Sequence, residues 1–133
     1  MKRIHIHLRV EDLKEAEHFY AALLGAPPTV AKPDYLKWMV DDPRINLAIT
    51  QRCGETLGVE HLGIETDDAE ELASLDAGLK SAGIETRPEA QAHCCYATSD
   101  KHWAKDGDGV IWELFQSHGR RETYGADHGP TGA

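Results

Sequence analysis

A pattern that occurs twice limits what this chain can fold into. His5 sits in the alternating stretch Arg3-Ile4-His5-Ile6-His7-Leu8-Arg9-Val10, and Asp12 follows it by seven residues. His61 sits in Val59-Glu60-His61-Leu62-Gly63-Ile64-Glu65, and Asp68 follows it by the same seven. The histidines are 56 residues apart. Alternation of polar and apolar residues is the period of a strand with two unlike faces. Asp12 and Asp68 read as helix N-caps, with Glu15 and Glu71 three residues on as capping-box partners. Leu13, Ala16, Tyr20, Leu23 and Leu24 then recur at helical spacing, and Phe19 widens the stripe. Gly25 ends this helix and Pro27-Pro28 keep it from resuming. Leu72, Leu75, Leu79 and Ala82 make the second stripe, ended by Gly83.

Short strand patterns follow each helix: about 29–32, 35–41 and 45–50 after the first, and 84–88, 92–97 and 101–106 after the second. Gly107-Asp108-Gly109 reads as a tight turn before a last strand from Val110 to Phe115. A repeat of this length carries more information than any one element. It predicts an α+β fold of two paired βαβββ modules, about 3–51 and 59–117, inside a single domain spanning 1–117. Each module is a small curved sheet with a helix behind it, and pairing them buries the open faces around a cleft. Residues 118–133 read as a polar C-terminal tail that is weakly ordered or lies over another surface.

The chain's 133 residues suffice for one domain with a real core. A formal net charge of −9 argues against a nucleic-acid partner or an anionic membrane surface. No apolar run is long enough to span a bilayer, and no signal peptide is read at the start. The expectation is a cytoplasmic protein with reduced thiols. Three cysteines, two of them adjacent, make no disulfide framework, and Cys53 reads as an incidental loop thiol.

Two groups of residues carry chemistry. His5 and His61 open equivalent strands, so the repeat brings them together. Glu113 lies between Trp112 and Leu114, where a carboxylate is costly to bury unless it is paired or binds a cation. Two imidazoles and a carboxylate with open positions are the ligands of non-haem iron(II) oxygenases, and zinc uses the same set. His7 shares a face with His5 and reads equally well as a supporting group or as a plain strand residue. His93 and His102 read as loop or surface histidines; His18, His118 and His128 lack ligand spacing. The second group is Cys94-Cys95, a soft two-sulfur pair suited to a thiophilic atom. Neighbouring side chains on a flat strand point to opposite faces, so joint action needs a turn or a mobile segment across roughly His93 to Lys101. Tyr96, Ser99 and Asp100 suit such a segment, and Lys101 is placed to favour the thiolate. Taken alone, the pair reads equally as two small hydrophobes on a half-buried strand.

The repeat resembles the glyoxalase/bleomycin-resistance (vicinal oxygen chelate) superfamily. The likeness rests on His5, Asp12-Leu13 and Phe19-Tyr20 in the first half. In the second half it rests on His61-Leu62-Gly63-Ile64 and on the run from Asp106 through Gly109 and Trp112-Glu113 to Phe115. The resemblance covers about residues 3–116 and implies a divalent metal held by His5, His61 and Glu113. Many members add a glutamate ligand near the end of the first module. Asn46 stands there in this chain, which implies a three-ligand, oxygen-activating site lined by Asn46. Lys32-Pro33-Asp34-Tyr35, Lys37-Trp38-Met39, Asp42-Pro43-Arg44, Cys94-Cys95-Tyr96-Ala97 and Ser99-Asp100-Lys101 are similar to the cadmium- and arsenic-induced branch. That branch includes carbon–arsenic lyases, in which a vicinal cysteine pair holds the arsenic.

The resemblance therefore implies cleavage of trivalent organoarsenicals, methylarsenite or aromatic, to arsenite with Fe(II) and dioxygen. Ni or Zn can occupy such a site in purified protein, and the assembly is a monomer or a homodimer. Two rivals stand beside this reading: a cadmium- or arsenite-binding resistance protein without catalysis, and an extradiol-type dioxygenase.

Overall fold

Trp38, Leu36 and Ile49 are the most completely buried apolar side chains, at 0, 1 and 0% exposure, and they show how the first half is built. The computed structural model describes residues 1–52, 55–94 and 97–120, with the backbone alone at 90–94, 97–99 and 118–120. These residues form two units, 3–62 and 63–120 with Met1-Lys2.

The first unit holds β1 (Arg3–Val10), α1 (Leu13–Leu24), β2 (Val30–Lys32), β3 (Tyr35–Asp41), β4 (Arg44–Gln51) and the start of β5 (Gly58–Glu65). Its strands run in the order β2-β3-β4-β1-β5. β1 pairs parallel to β4, with His5 beside Asn46, Ile6 beside Leu47 and His7 beside Ala48. β3 pairs antiparallel to β4, with Leu36 beside Ile49 and Trp38 beside Leu47. Register and the two-residue period sort these side chains onto two faces. Leu36, Trp38, Leu47 and Ile49 form one buried cluster with Leu13 and Ala16 of α1, and Ile6, Leu8 and Tyr20 pack against it. Burial of each such large side chain contributes about 1.5–3 kcal/mol. His5, His7, Asn46, Ala48 and Thr50 alternate with that set and occupy the opposite face.

Asp12 caps α1 as expected, its side chain accepting from the Lys14 and Glu15 backbone N–H groups, and Gly25 closes the helix in the left-handed region at φ 70°. The apolar stripe is narrower than its spacing suggests. Phe19 and Leu23 are 57 and 64% exposed, because Leu13 and Ala16 already fill the contact with the sheet.

The second unit holds the end of β5, α2 (Ala69–Ser81), β6 (Arg87–Cys94), β7 (Ala97–Lys105) and β8 (Ile111–Arg120). β8, β7 and β6 follow one another, all antiparallel. Asp68 caps α2 by accepting from the Glu71 N–H, while the Glu71 carboxylate accepts from the Asp67 N–H. Asp76 fastens this helix to the chain beyond it. It accepts from Thr86 Oγ1 at 2.5 Å and from Lys80 at 2.8 Å, with His102 Nδ1 3.5 Å away.

Here the strands differ from their sequence patterns. Residues 92–97 are not one strand, because β6 ends at Cys94 and pairs it with Ala97 at the start of β7. Nor is the stretch from Ala97 to Lys101 irregular: its backbone pairs with β8 from Arg120 back to Phe115. His102 is therefore a half-buried strand residue rather than a loop one, and His93 lies in β6. β8 continues to Arg120, past the expected start of the tail. Cys53, Cys95, Tyr96 and the tail beyond Arg120, with His128, lie outside the described residues, as do the side chains of His93, Cys94, Ser99 and His118.

Candidate metal centre

The face of the first unit turned away from α1 buries polar groups in succession. His5, His7, Asn46, Thr50 and His61 are all 6% exposed or less. A hydrophobic sheet face would be more stable, since each buried polar group costs free energy unless it is bonded. A row of them points to function.

The imidazoles of His5 and His61 aim their Nε2 atoms at each other across 3.2 Å. Acceptors stand behind both rings. His5 Nδ1 lies 3.1 Å from the Asn46 carbonyl oxygen and 3.2 Å from its Oδ1. His61 Nδ1 lies 3.4 Å from Glu60 Oε1. An acceptor at Nδ1 favours the tautomer that carries its proton there and leaves Nε2 with a lone pair. Two such lone pairs face to face repel unless a proton or a cation lies between them. Two nitrogens bound to one ion at about 2.0–2.1 Å are at most about 4.2 Å apart, and this pair falls inside that limit. The donor set fits a divalent ion.

Glu60 was not singled out from the sequence. The strand period sends it away from His61, and its place immediately before a predicted ligand is the only signal. Its Oε2 lies 3.3 Å from Arg9 Nε and 3.9 Å from His7 Nε2. Burial pushes the Glu60 carboxyl up, but the His61 imidazole beside it and the charges of His7, His61 and Arg9 outweigh it and hold it at about 2. Glu60 is thus an anion behind the imidazoles at neutral pH. Thr50 was also missed; its Oγ1 lies 3.2 Å from His7 Nε2.

The second unit buries Glu113 and Lys101, at 4 and 3% exposure, as a pair with Nζ 2.5 Å from Oε2. β7 and β8 set this pairing: Lys101 lies opposite Phe115 and Trp103 opposite Glu113, so the two charges are diagonal neighbours on one face. Gly63 explains how closely β5 approaches there, because a Cβ on it would stand 2.5 Å from the Glu113 carbonyl oxygen. The structure thus brings His5 together with His61, His7 and Asn46, and Glu113 with Lys101. Asn46 sits at the Nδ1 side of His5, opposite the nitrogen that faces His61.

The sequence model of the glyoxalase/bleomycin resistance protein/dioxygenase superfamily matches residues 2–114. A trivalent organoarsenical cleaving enzyme of Bacillus sp. is 38% identical over 118 residues, which are 86% of this chain and 73% of that protein. Another of the same name, from Thermomonospora curvata, is 32% identical over 92% of this chain and 82% of its own length. The cadmium-induced protein CadI of Mycobacterium bovis is 33% identical over 95% of this chain and 83% of that one. Among solved structures, an extradiol ring-cleaving dioxygenase from B. fuscum superposes with a TM-score of 0.64 at 19% identity, over 90% of this chain and 34% of its own. A Mn(II)-bound glyoxalase from Novosphingobium aromaticivorans gives 0.61 at 14% identity, over 92% of this chain and 43% of its own. At such identities these two show the fold alone, and it is the vicinal oxygen chelate fold.

Proposed function

The chain belongs to the glyoxalase/bleomycin resistance/dioxygenase superfamily, and from that premise we propose that it is an Fe(II)- and dioxygen-dependent carbon–arsenic lyase releasing arsenite from trivalent organoarsenicals. The substrate class is drawn from the relatives named for organoarsenical cleavage. The observation that carries the metal chemistry is the pair of Nε2 atoms 3.2 Å apart, each ring backed by an acceptor.

In this reading His5, His61 and Glu113 hold the ion. Bound iron(II) supplies the activation of dioxygen that no side chain can provide. Asn46 and Glu60 hold the two imidazoles in the ligating tautomer, and Lys101 neutralises the Glu113 carboxylate. Cys94 and Cys95 hold trivalent arsenic through its two oxygen-bearing valences, since thiolates are its preferred ligands. That leaves the organic substituent as the group presented for attack, and holding both reactants in one place is the protein's main contribution. For methylarsenite, one dioxygen balances to arsenite and formaldehyde. Arsenic stays trivalent, and the carbon gives up the four electrons that dioxygen takes.

The test is anaerobic loading with Fe(II), addition of methylarsenite, and admission of air while arsenite and formaldehyde are followed. Release of both in equal amounts is expected. No arsenite from protein that holds both iron and the arsenical would refute the proposal. The cadmium-induced relative motivates one rival, a sequestering protein. That protein would keep full soft-metal binding in His61→Ala and show no turnover in the parent.

A further inference from the structure

His7 is left over by this reading. It is 3% exposed, on the same strand face as His5, and nothing in the proposed reaction uses it. Its ring centroid lies 5.0 Å from that of His61 and 6.3 Å from that of His5. One ligand nitrogen from each of the three imidazoles lies within 4.8 Å of the other two. We infer that His5, His7 and His61 form a three-imidazole site for a borderline divalent ion, one that holds its ion without Glu113. The inference rests on the metal reading above for two of its ligands and adds the third.

Three observations carry it. The nitrogens are almost at ligating separations. Those sharing an ion at about 2.0–2.1 Å lie no more than about 4.2 Å apart, so His7 needs a shift of at most about 0.6 Å. To make it, the ring exchanges the bond between its Nε2 and Thr50 Oγ1 or turns its other nitrogen inward. The groups around the cluster also suit a cation: Glu60 places Oε1 3.4 Å from His61 Nδ1 and Oε2 3.9 Å from His7 Nε2, with Arg9 Nε 3.3 Å from that same Oε2. Finally, all three ligands belong to residues 3–62, so the site is complete within one unit. Three neutral nitrogens favour zinc, nickel or copper over hard ions such as Mn²⁺. Removal of Glu113 therefore shifts the preference of the centre rather than emptying it.

Zn²⁺ alone is the probe, by equilibrium dialysis with metal analysis, on full-length chain with Cys53, Cys94 and Cys95 all changed to Ser so that thiols do not contribute. Glu113→Gln in this background is expected to keep one equivalent of zinc with affinity reduced less than tenfold. Adding His7→Ala is expected to weaken it a further hundredfold or more. His7→Gln, which keeps a polar group beside Thr50, repeats the test should the alanine variant lose its native circular dichroism. If Glu113→Gln binds as poorly as His61→Ala, or if the His7 changes leave its affinity unmoved, the three-imidazole site is wrong. If the thiol-free parent binds no zinc, the metal reading under Proposed function falls with it. Loss confined to the Glu113 variant overturns this inference alone.

Discussion

Gly63→Ala is the most exacting test of how β5 meets Glu113. The new Cβ would stand 2.5 Å from the Glu113 carbonyl oxygen, 3.2 Å from its Cβ and 3.3 Å from its carbonyl carbon. The first contact must open by about 0.5 Å before it reaches even the shortest separations real Cβ atoms show. The obstacle is backbone, so no rotamer relieves it. Overpacking of this kind costs about 2–3 kcal/mol. Lower entropy of the unfolded chain returns about 0.4–1 kcal/mol. A net loss of about 1–2.5 kcal/mol remains. For a chain of this size each 1 kcal/mol moves the melting midpoint by roughly 3–4 °C, so Gly63→Ala should melt about 3–10 °C below the parent. Thermal unfolding followed by circular dichroism, with a chelator present, measures it. Gly78→Ala is the control: it lies mid-α2 with nothing within 4 Å of its added Cβ, and should gain about 0.5–1 kcal/mol. The backbone argument fails if Gly63→Ala melts within about 1 °C of the parent.

Glu60→Gln and Asn46→Leu should each weaken divalent-ion binding about 10–100-fold by titration calorimetry, with little change in melting without metal; unchanged affinity would remove both from behind the imidazoles. Cys94→Ser and Cys95→Ser should each abolish binding of methylarsenite while leaving iron binding intact, and parental turnover in either would end the two-thiol mechanism. Asp76 offers a pH test. Burial pushes its carboxyl up, but the Lys80 and Thr86 hydrogen bonds and the His102 charge outweigh it and leave it below the ordinary 3.8. A lowered folded value gives stability that is full above the ordinary value and lost as pH falls through the folded one. The deficit of Asp76→Asn in denaturant unfolding should therefore be largest near neutrality and shrink below about pH 4; a deficit independent of pH would be inconsistent.

The elements fixed by local chemistry were legible in the sequence. Asp12, Asp68 and Gly25 act as read, because a capping side chain or a left-handed turn is decided within four residues. The strand period likewise placed His5 and His7 on one face, and the repeat brought His61 to His5. Other contacts made across strands were not legible. The Lys101–Glu113 pair depends on the β7–β8 register, and the place of Asn46 behind His5 on the β1–β4 register. The β6–β7 reversal was blurred because Ala92 to Ala97 has no glycine or proline to mark it. Phe19 looked like core because helical spacing records which side of a helix is apolar but not how wide a partner it meets.

β5 couples the two halves of the repeat. The copy boundary read from sequence falls before this strand, in the connector from Gln51 to Gly58, whereas the boundary drawn by contacts falls inside it, between Leu62 and Gly63. The opening residues of the second copy are thus lodged in the body of the first. β5 lies beside β1 and so places His61 against His5, and a change at either alters the same cluster of imidazoles. The two histidines, 56 residues apart in the chain, stand 3.2 Å apart in space, so what either can be replaced by is limited by the other.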